Sequence, residues 1–79
     1  MRFTLRVRLQ MTRGALLRVL RLVEHRCARI VDIELGNDRR TGLAILEVTV
    51  ETRLSPETLA RQTEKLYDVR AVEIVGHEH

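Results

Sequence analysis

Tryptophan is absent from the sequence, and phenylalanine and tyrosine occur once each, as Phe3 and Tyr67. A sheet that binds RNA needs exposed aromatics on its central strands for base stacking. Phe3 alternates towards a core and Tyr67 ends a helical pattern, so that platform is missing. Cysteine occurs once, as Cys27, which rules out an internal disulfide and the paired-cysteine loop of a metallochaperone. A lone cysteine fits a reducing, cytoplasmic setting. No Cys/His set has zinc-site spacing, so no metal is expected. No apolar run approaches the roughly 18 residues of a membrane span, and the alternating N-terminus never forms the apolar stretch of a signal peptide. Lysine also occurs once, so the formal net charge of +3 rests almost wholly on arginine. That charge alone does not argue for nucleic acid, which needs a clustered basic surface.

What is present is periodic. Phe3, Leu5, Val7 and Leu9 alternate with Arg2, Thr4, Arg6 and Arg8, a half-buried strand. An amphipathic helix is predicted over about 13–27, with Leu16, Val19, Leu20, Val23 and Cys27 as its apolar stripe and Arg18, Arg21 and His25 in water. Thr12 stands where its N-cap belongs, with Gly14 inside the first turn. A second strand covers 28–35, with Val31, Ile33 and Leu35 pointing one way and Asp32 and Glu34 the other. A polar loop, Gly36 to Gly42, connects it to a third strand, Leu43–Glu51. Ser55-Pro56-Glu57 opens a second helix, which runs to about Tyr67 on Leu59, Thr63 and Leu66. Val69–Val75 is the fourth strand.

The halves echo each other: Thr12 with Ser55, Leu16 with Leu59, Arg18 with Arg61, Val23 with Leu66. Two split βαβ units with right-handed crossovers interleave into one sheet. The predicted fold is α+β, a ferredoxin-like βαββαβ sandwich. Its four-stranded antiparallel sheet has order 4-1-3-2, with two helices on one face. Residues 1–76 form the single domain and 77–79 a tail. On the open face Arg6 and Arg8 lie among Glu47, Glu51 and Glu73, which reads as cross-strand charge pairing. A core this small, burying about 60% of the unfolded surface, favours a partner subunit.

No nucleophile–base pair is evident, and a loop with one glycine does not match the phosphate cradle of acylphosphatases. The stretch Thr12-Arg-Gly-Ala-Leu-Leu-Arg-Val-Leu-Arg-Leu-Val-Glu-His-Arg26, followed by Ile-Val-Asp-Ile-Glu-Leu35, resembles the ACT domain. The likeness extends through Leu46–Val50, Ser55–Leu59 and Leu66–Ile74. It is closest to the short small (regulatory) subunits of acetolactate synthase, or acetohydroxyacid synthase. The resemblance implies a non-catalytic cytoplasmic subunit. Its partners would be a second copy of itself, paired edge to edge, and the large catalytic subunit of branched-chain amino-acid synthesis. Thiamine diphosphate, magnesium and FAD would sit on that catalytic subunit, with none on this chain. It also implies an amino-acid effector seat at Thr12, Arg13, Gly14 and Ala15, where helix N-terminal amides suit a carboxylate. Met11 replaces the asparagine of valine-responsive subunits and lacks its paired donor and acceptor. Leu17 and Leu22, on opposite shoulders of the first helix, and Ile30, Asp32 and Glu34 on the second strand are the candidate contact residues. The alternative is a free-standing ACT amino-acid sensor serving another metabolic enzyme or a transcription factor.

Overall fold

The computed structural model describes residues 1–26 and 28–78, with the side chains of 77 and 78 left aside. The order is β1 (Arg2–Leu9), α1 (Ala15–His25), β2 (Arg29–Asn37), β3 (Ala44–Glu51), α2 (Pro56–Glu64) and β4 (Val69–Glu78). The strands form one antiparallel sheet ordered β2-β3-β1-β4, as the split βαβ reading expects.

Strict alternation makes β1 and β3 the inner strands. Phe3, Leu5, Val7 and Leu9 face Val50, Val48, Leu46 and Ala44 in register, and all eight are buried. Directly opposite residues of an antiparallel pair share a face, so these lie under the helices. Ala15, Val19 and Val23 of α1 and Leu59, Ala60 and Thr63 of α2 close the core above them. Thr63 is tolerated there because its hydroxyl donates to the Leu59 carbonyl at 2.8 Å. Ser55 caps α2 as the sequence expects, its Oγ accepting from the Thr58 amide at 3.1 Å.

Four expectations need correction. First, α1 starts at Ala15, not near residue 13, and Thr12 is not its cap. Gly14 holds the N-cap position in the left-handed region, φ +78°, with no side-chain cap. Second, α2 ends at Glu64, and Tyr67 lies beyond it, 86% exposed. Third, the sheet carries bulges that alternation hides. Val31 on β2, and Arg70 and Val75 on β4, are extra residues opposite a partner strand that lacks them. The bulge at Val31 brings Ile30 to the helix side, opposite Val50, in phase with Ile33 opposite Val48 and Leu35 opposite Leu46. Fourth, β4 pairs with β1 as far as Glu78, across the start of the expected tail. Cys27 and His79 lie outside the described residues.

Candidate functional site

The turn before α1 is the first candidate. Thr12 accepts the Ala15 amide on its carbonyl at 3.0 Å, which closes the turn tightly. Its hydroxyl donates to Oδ1 of Asp68, a reach of 56 positions along the chain. Arg18 leans back over the turn. Its Nε and Nη2 meet Oδ2 of Asp68 at 2.8 and 2.7 Å, and Nη2 also donates to the Arg13 carbonyl at 2.9 Å. Asp68 is 2% exposed while Arg18 keeps 48% of its side chain in water. The Thr12 hydroxyl first, and the Arg18 guanidinium next, hold the Asp68 carboxyl below the usual carboxylate range, against the opposing effect of burial. Backbone joins the tie, since the Gln10 amide donates to the Asp68 carbonyl at 2.9 Å. Arg70 adds bonds to the Tyr67 carbonyl and the Gln10 side chain.

Arg18 is therefore not the solvated cation its place on the polar side of the helix implies. A Cβ on Gly14 would stand 3.0 Å from Arg18 Nη1. The bare glycine lets the guanidinium lie against the turn, and left-handed backbone is the conformation in which glycine is at ease. Of the four effector-seat residues, Arg13 and Gly14 are exposed, Thr12 is half-buried and committed to Asp68, and Ala15 is buried. Ala15 has only its backbone to offer a ligand.

The second candidate is the β2 margin. Leu17 is 57% exposed, Ile33 44% and Leu35 51%, the last two on the helix side of the sheet. Asp32 and Glu34 point to the open face and are exposed; Ile30 packs half-buried on the core. Leu22 falls elsewhere. It lines a groove of about 270 Å³ with Arg18, Arg21, His25 and, from the segment after α2, Leu66. The structure thus places Ile30, Asp32 and Glu34 on the β2 margin, leaves Leu17 exposed on α1, and puts Leu22 in the groove with Leu66.

The open face is charge-paired as expected. Arg2 meets Glu51 and Arg6 meets Glu47, each at 2.8 Å; Arg8 lies 3.8 Å from Glu73 and 3.2 Å from Asp38 of the hairpin loop. Hydrogen bonding from Arg2, then its charge, lowers the Glu51 carboxyl. Asp38 is lowered chiefly by the Arg40 amide, in a turn that Gly42 completes at φ +76°. This face offers no basic platform. Among the described residues no group of His, Cys, Asp and Glu is placed to hold a metal. No helix among them is long and apolar enough to cross a membrane.

With this geometry in view, the profile of the ACT domain matches residues 6–72. The chain belongs to the ACT domain family. Among solved structures, the ACT domain from GTP pyrophosphokinase of Chlorobium tepidum superposes with TM-score 0.77 at 16% identity, over 94% of this chain and 96% of that one. A formyltetrahydrofolate deformylase from Pseudomonas putida KT2440 gives 0.73 at 13%, covering 100% of this chain but 30% of its own. The C-terminal domain of the MgtC protein from Mycobacterium tuberculosis gives 0.70 at 18%, over 99% and 88%. At such identities these likenesses establish the ACT fold and nothing finer. Among curated proteins none matches the sequence.

Sequence reading missed Asp68, Arg18, Ile33 and Leu35 as features of these sites. The available signals were an aspartate wedged between Leu66 and Val69, and a strand whose apolar residues sit at the end of the strand order.

Proposed function

We propose that this ACT domain is a non-catalytic regulatory subunit that docks on the large catalytic subunit of acetolactate synthase and tunes its activity in branched-chain amino-acid synthesis. The observation that carries the regulatory reading is an exposed apolar row, Ile33 and Leu35, on the helix side of the unpaired outer strand β2. Exposed apolar surface on an unpaired edge is a contact surface in waiting. The assignment to this enzyme is supported by the sequence passages around Gly14 and from Leu66 to Ile74. In this reading the chain binds no cofactor; thiamine diphosphate, magnesium and FAD belong to the catalytic subunit. Regulation works by differential binding to the enzyme's more active state. The family expectation is that copies pair through the β2 margin, and the large subunit is its other candidate occupant.

The test is reconstitution. Purified catalytic subunit is assayed with and without the chain, alongside co-elution. A rate change with a stable complex is expected; no change and no complex would remove the reading. Thermal denaturation against the twenty amino acids separates the free-standing sensor. A bound effector at a hundredfold excess over Kd stabilises by about 2.7 kcal/mol, whereas the tie of Thr12 and Arg18 to Asp68 favours silence.

A further inference from the structure

Positive charge is answered differently on the two faces of this domain. On the open face Arg2, Arg6, Arg8 and Arg29 each meet an acid. On the helix layer Asp68 balances Arg18. Arg21, His25 and Lys65 are exposed there and form no ion pair among the described residues. Arg18, Leu22 and His25 stand about one turn apart on one flank of α1. With Arg21 they line the groove of about 270 Å³ that Leu66 closes from the segment after α2. Both leucines are half-buried. No acid lines this groove. Glu24 follows Leu22 by two positions, about 200° round the helix, and both Glu24 and Glu64 are exposed outside the lining. Asp68 is committed to Arg18 and Thr12. The result is an apolar floor with a basic rim whose counter-charge the chain does not supply.

We propose that this groove receives an acidic amphipathic helix of a partner protein. Size argues for a helix face over a small molecule. Pockets that enclose a whole ligand start near 300 Å³, whereas this groove is smaller and open. It has room for apolar side chains one turn apart on a docked helix, the usual anchors of helix-in-groove binding. Seated against Leu22 and Leu66, such a helix brings its flanking carboxylates to Arg21, to the His25 ring N–H and to Nη1 of Arg18, the guanidinium nitrogen that Asp68 leaves unused. A carboxylate meeting a guanidinium makes a charge-assisted bond, stronger than a neutral one. A nucleic-acid strand would use these donors but not the two leucines, and a phosphate track needs a longer basic surface. The groove opens between α1 and the segment after α2, not along β2. Copies paired edge to edge through β2 therefore both keep it open. The proposal goes beyond the β2 reading and stands on a separate surface.

The probes are three synthetic peptides, each stapled as a helix on its far side. One carries a leucine stripe flanked by glutamate, one the same stripe flanked by lysine, and one the glutamates with alanine in place of leucine. Each is titrated into the isotopically labelled full chain and followed by NMR. The leucine–glutamate peptide is expected to bind at least about tenfold more tightly than either other, shifting signals from Arg18 to His25 and at Leu66. The chain carries a net +3, so bulk attraction alone favours any acidic peptide, and two variants separate that effect from the groove. R21Q/H25Q removes one formal charge at the groove and should weaken binding at least about fivefold. R39Q/R40Q removes two from the hairpin loop and should leave binding within about twofold. All four positions are exposed, and circular dichroism checks that each variant keeps the fold. Equal binding of the lysine or alanine peptide, equal loss in the two variants, a single-stranded oligonucleotide bound as tightly as the leucine–glutamate peptide, or binding of none would each overturn the proposal. None of these readouts needs the synthase, so a failed reconstitution would stand apart from a failed docking test.

Discussion

Replacing Gly14 with alanine tests the α1 turn by the sign of its effect. If Gly14 lay inside the first turn of a helix capped by Thr12, alanine would gain roughly 1 kcal/mol of helix propensity. The structure gives the opposite sign. At φ +78° an L-residue costs about 1–2 kcal/mol relative to glycine. The new methyl also meets Arg18 Nη1 at 3.0 Å. That atom ends a flexible, half-exposed side chain, so it swings away instead of clashing, at the expense of its bonds to Asp68 and the Arg13 carbonyl. The net expectation is a loss of about 1–2 kcal/mol, or a Tm lower by roughly 5–15 °C in a domain of this size. Urea denaturation with a shared slope measures it. Gly36→Ala is the control, since Gly36 has ordinary backbone and nothing within 4 Å of its missing Cβ; it should be neutral or gain about 0.5 kcal/mol. Gly14→Asn should lose less than Gly14→Ala, since asparagine tolerates left-handed backbone better. A Gly14→Ala variant as stable as wild type, or more so, would refute the turn described here.

Ser55→Ala should cost about 1 kcal/mol by removing the α2 cap, seen as an earlier urea midpoint. Leu46→Ala, at a fully buried position on β3, should cost about 2–5 kcal/mol, enough to leave much of the chain unfolded near 37 °C by circular dichroism. Asp68 should shape the acid limb of stability. Its carboxyl is depressed below the ordinary 3.8 in the folded chain, so its contribution is complete above that value and fades as pH falls through the folded one. The wild-type midpoint should therefore fall more steeply than that of Asp68→Asn below about pH 4, and parallel curves would count against the buried tie. Leu35→Lys should leave the urea midpoint within about 0.5 kcal/mol while weakening co-elution with the catalytic subunit.

Periodicity made the inner half of this domain readable. In β1 and β3 every second residue is apolar and buried, so strand identity and a charge-paired face of Arg6 and Arg8 among Glu47, Glu51 and Glu73 could be placed from spacing, and sheet order from the two right-handed crossovers. The Ser-Pro-Glu sequence marked α2 because each residue has a local reason to be there. The hidden features depend on distance along the chain. Asp68 belongs to no pattern of its own, and its partners Thr12 and Arg18 are 56 and 50 positions away. Once Asp68 claims the Thr12 hydroxyl, the local argument for Thr12 as a cap fails, and the helix start moves to Gly14. The bulge at Val31 is equally silent, because a run of apolar and acidic residues looks alternating whichever residue is extra. For the same reason spacing could separate the two sides of β2 but could not show that no helix covers Ile33 and Leu35.

The uncovered margins have a common cause and differ in regularity. One helix of 11 residues and one of 9 bury the helix side of β1 and β3, and the outer strands keep Ile33, Leu35 and Ile74 40–51% exposed. Exposed sheet edges invite pairing, and folded proteins protect them with bulges or with charge. The protection on β4 is geometric: Arg70 and Val75 break the ladder whatever approaches. On β2 the run Asp32–Asn37 pairs residue for residue with β3, and its open-face side is mixed in charge, Arg29 with Asp32 and Glu34, so the outer edge stays regular. Edge-to-edge pairing of copies, the family expectation, therefore has a regular ladder to use on β2 and a broken one on β4.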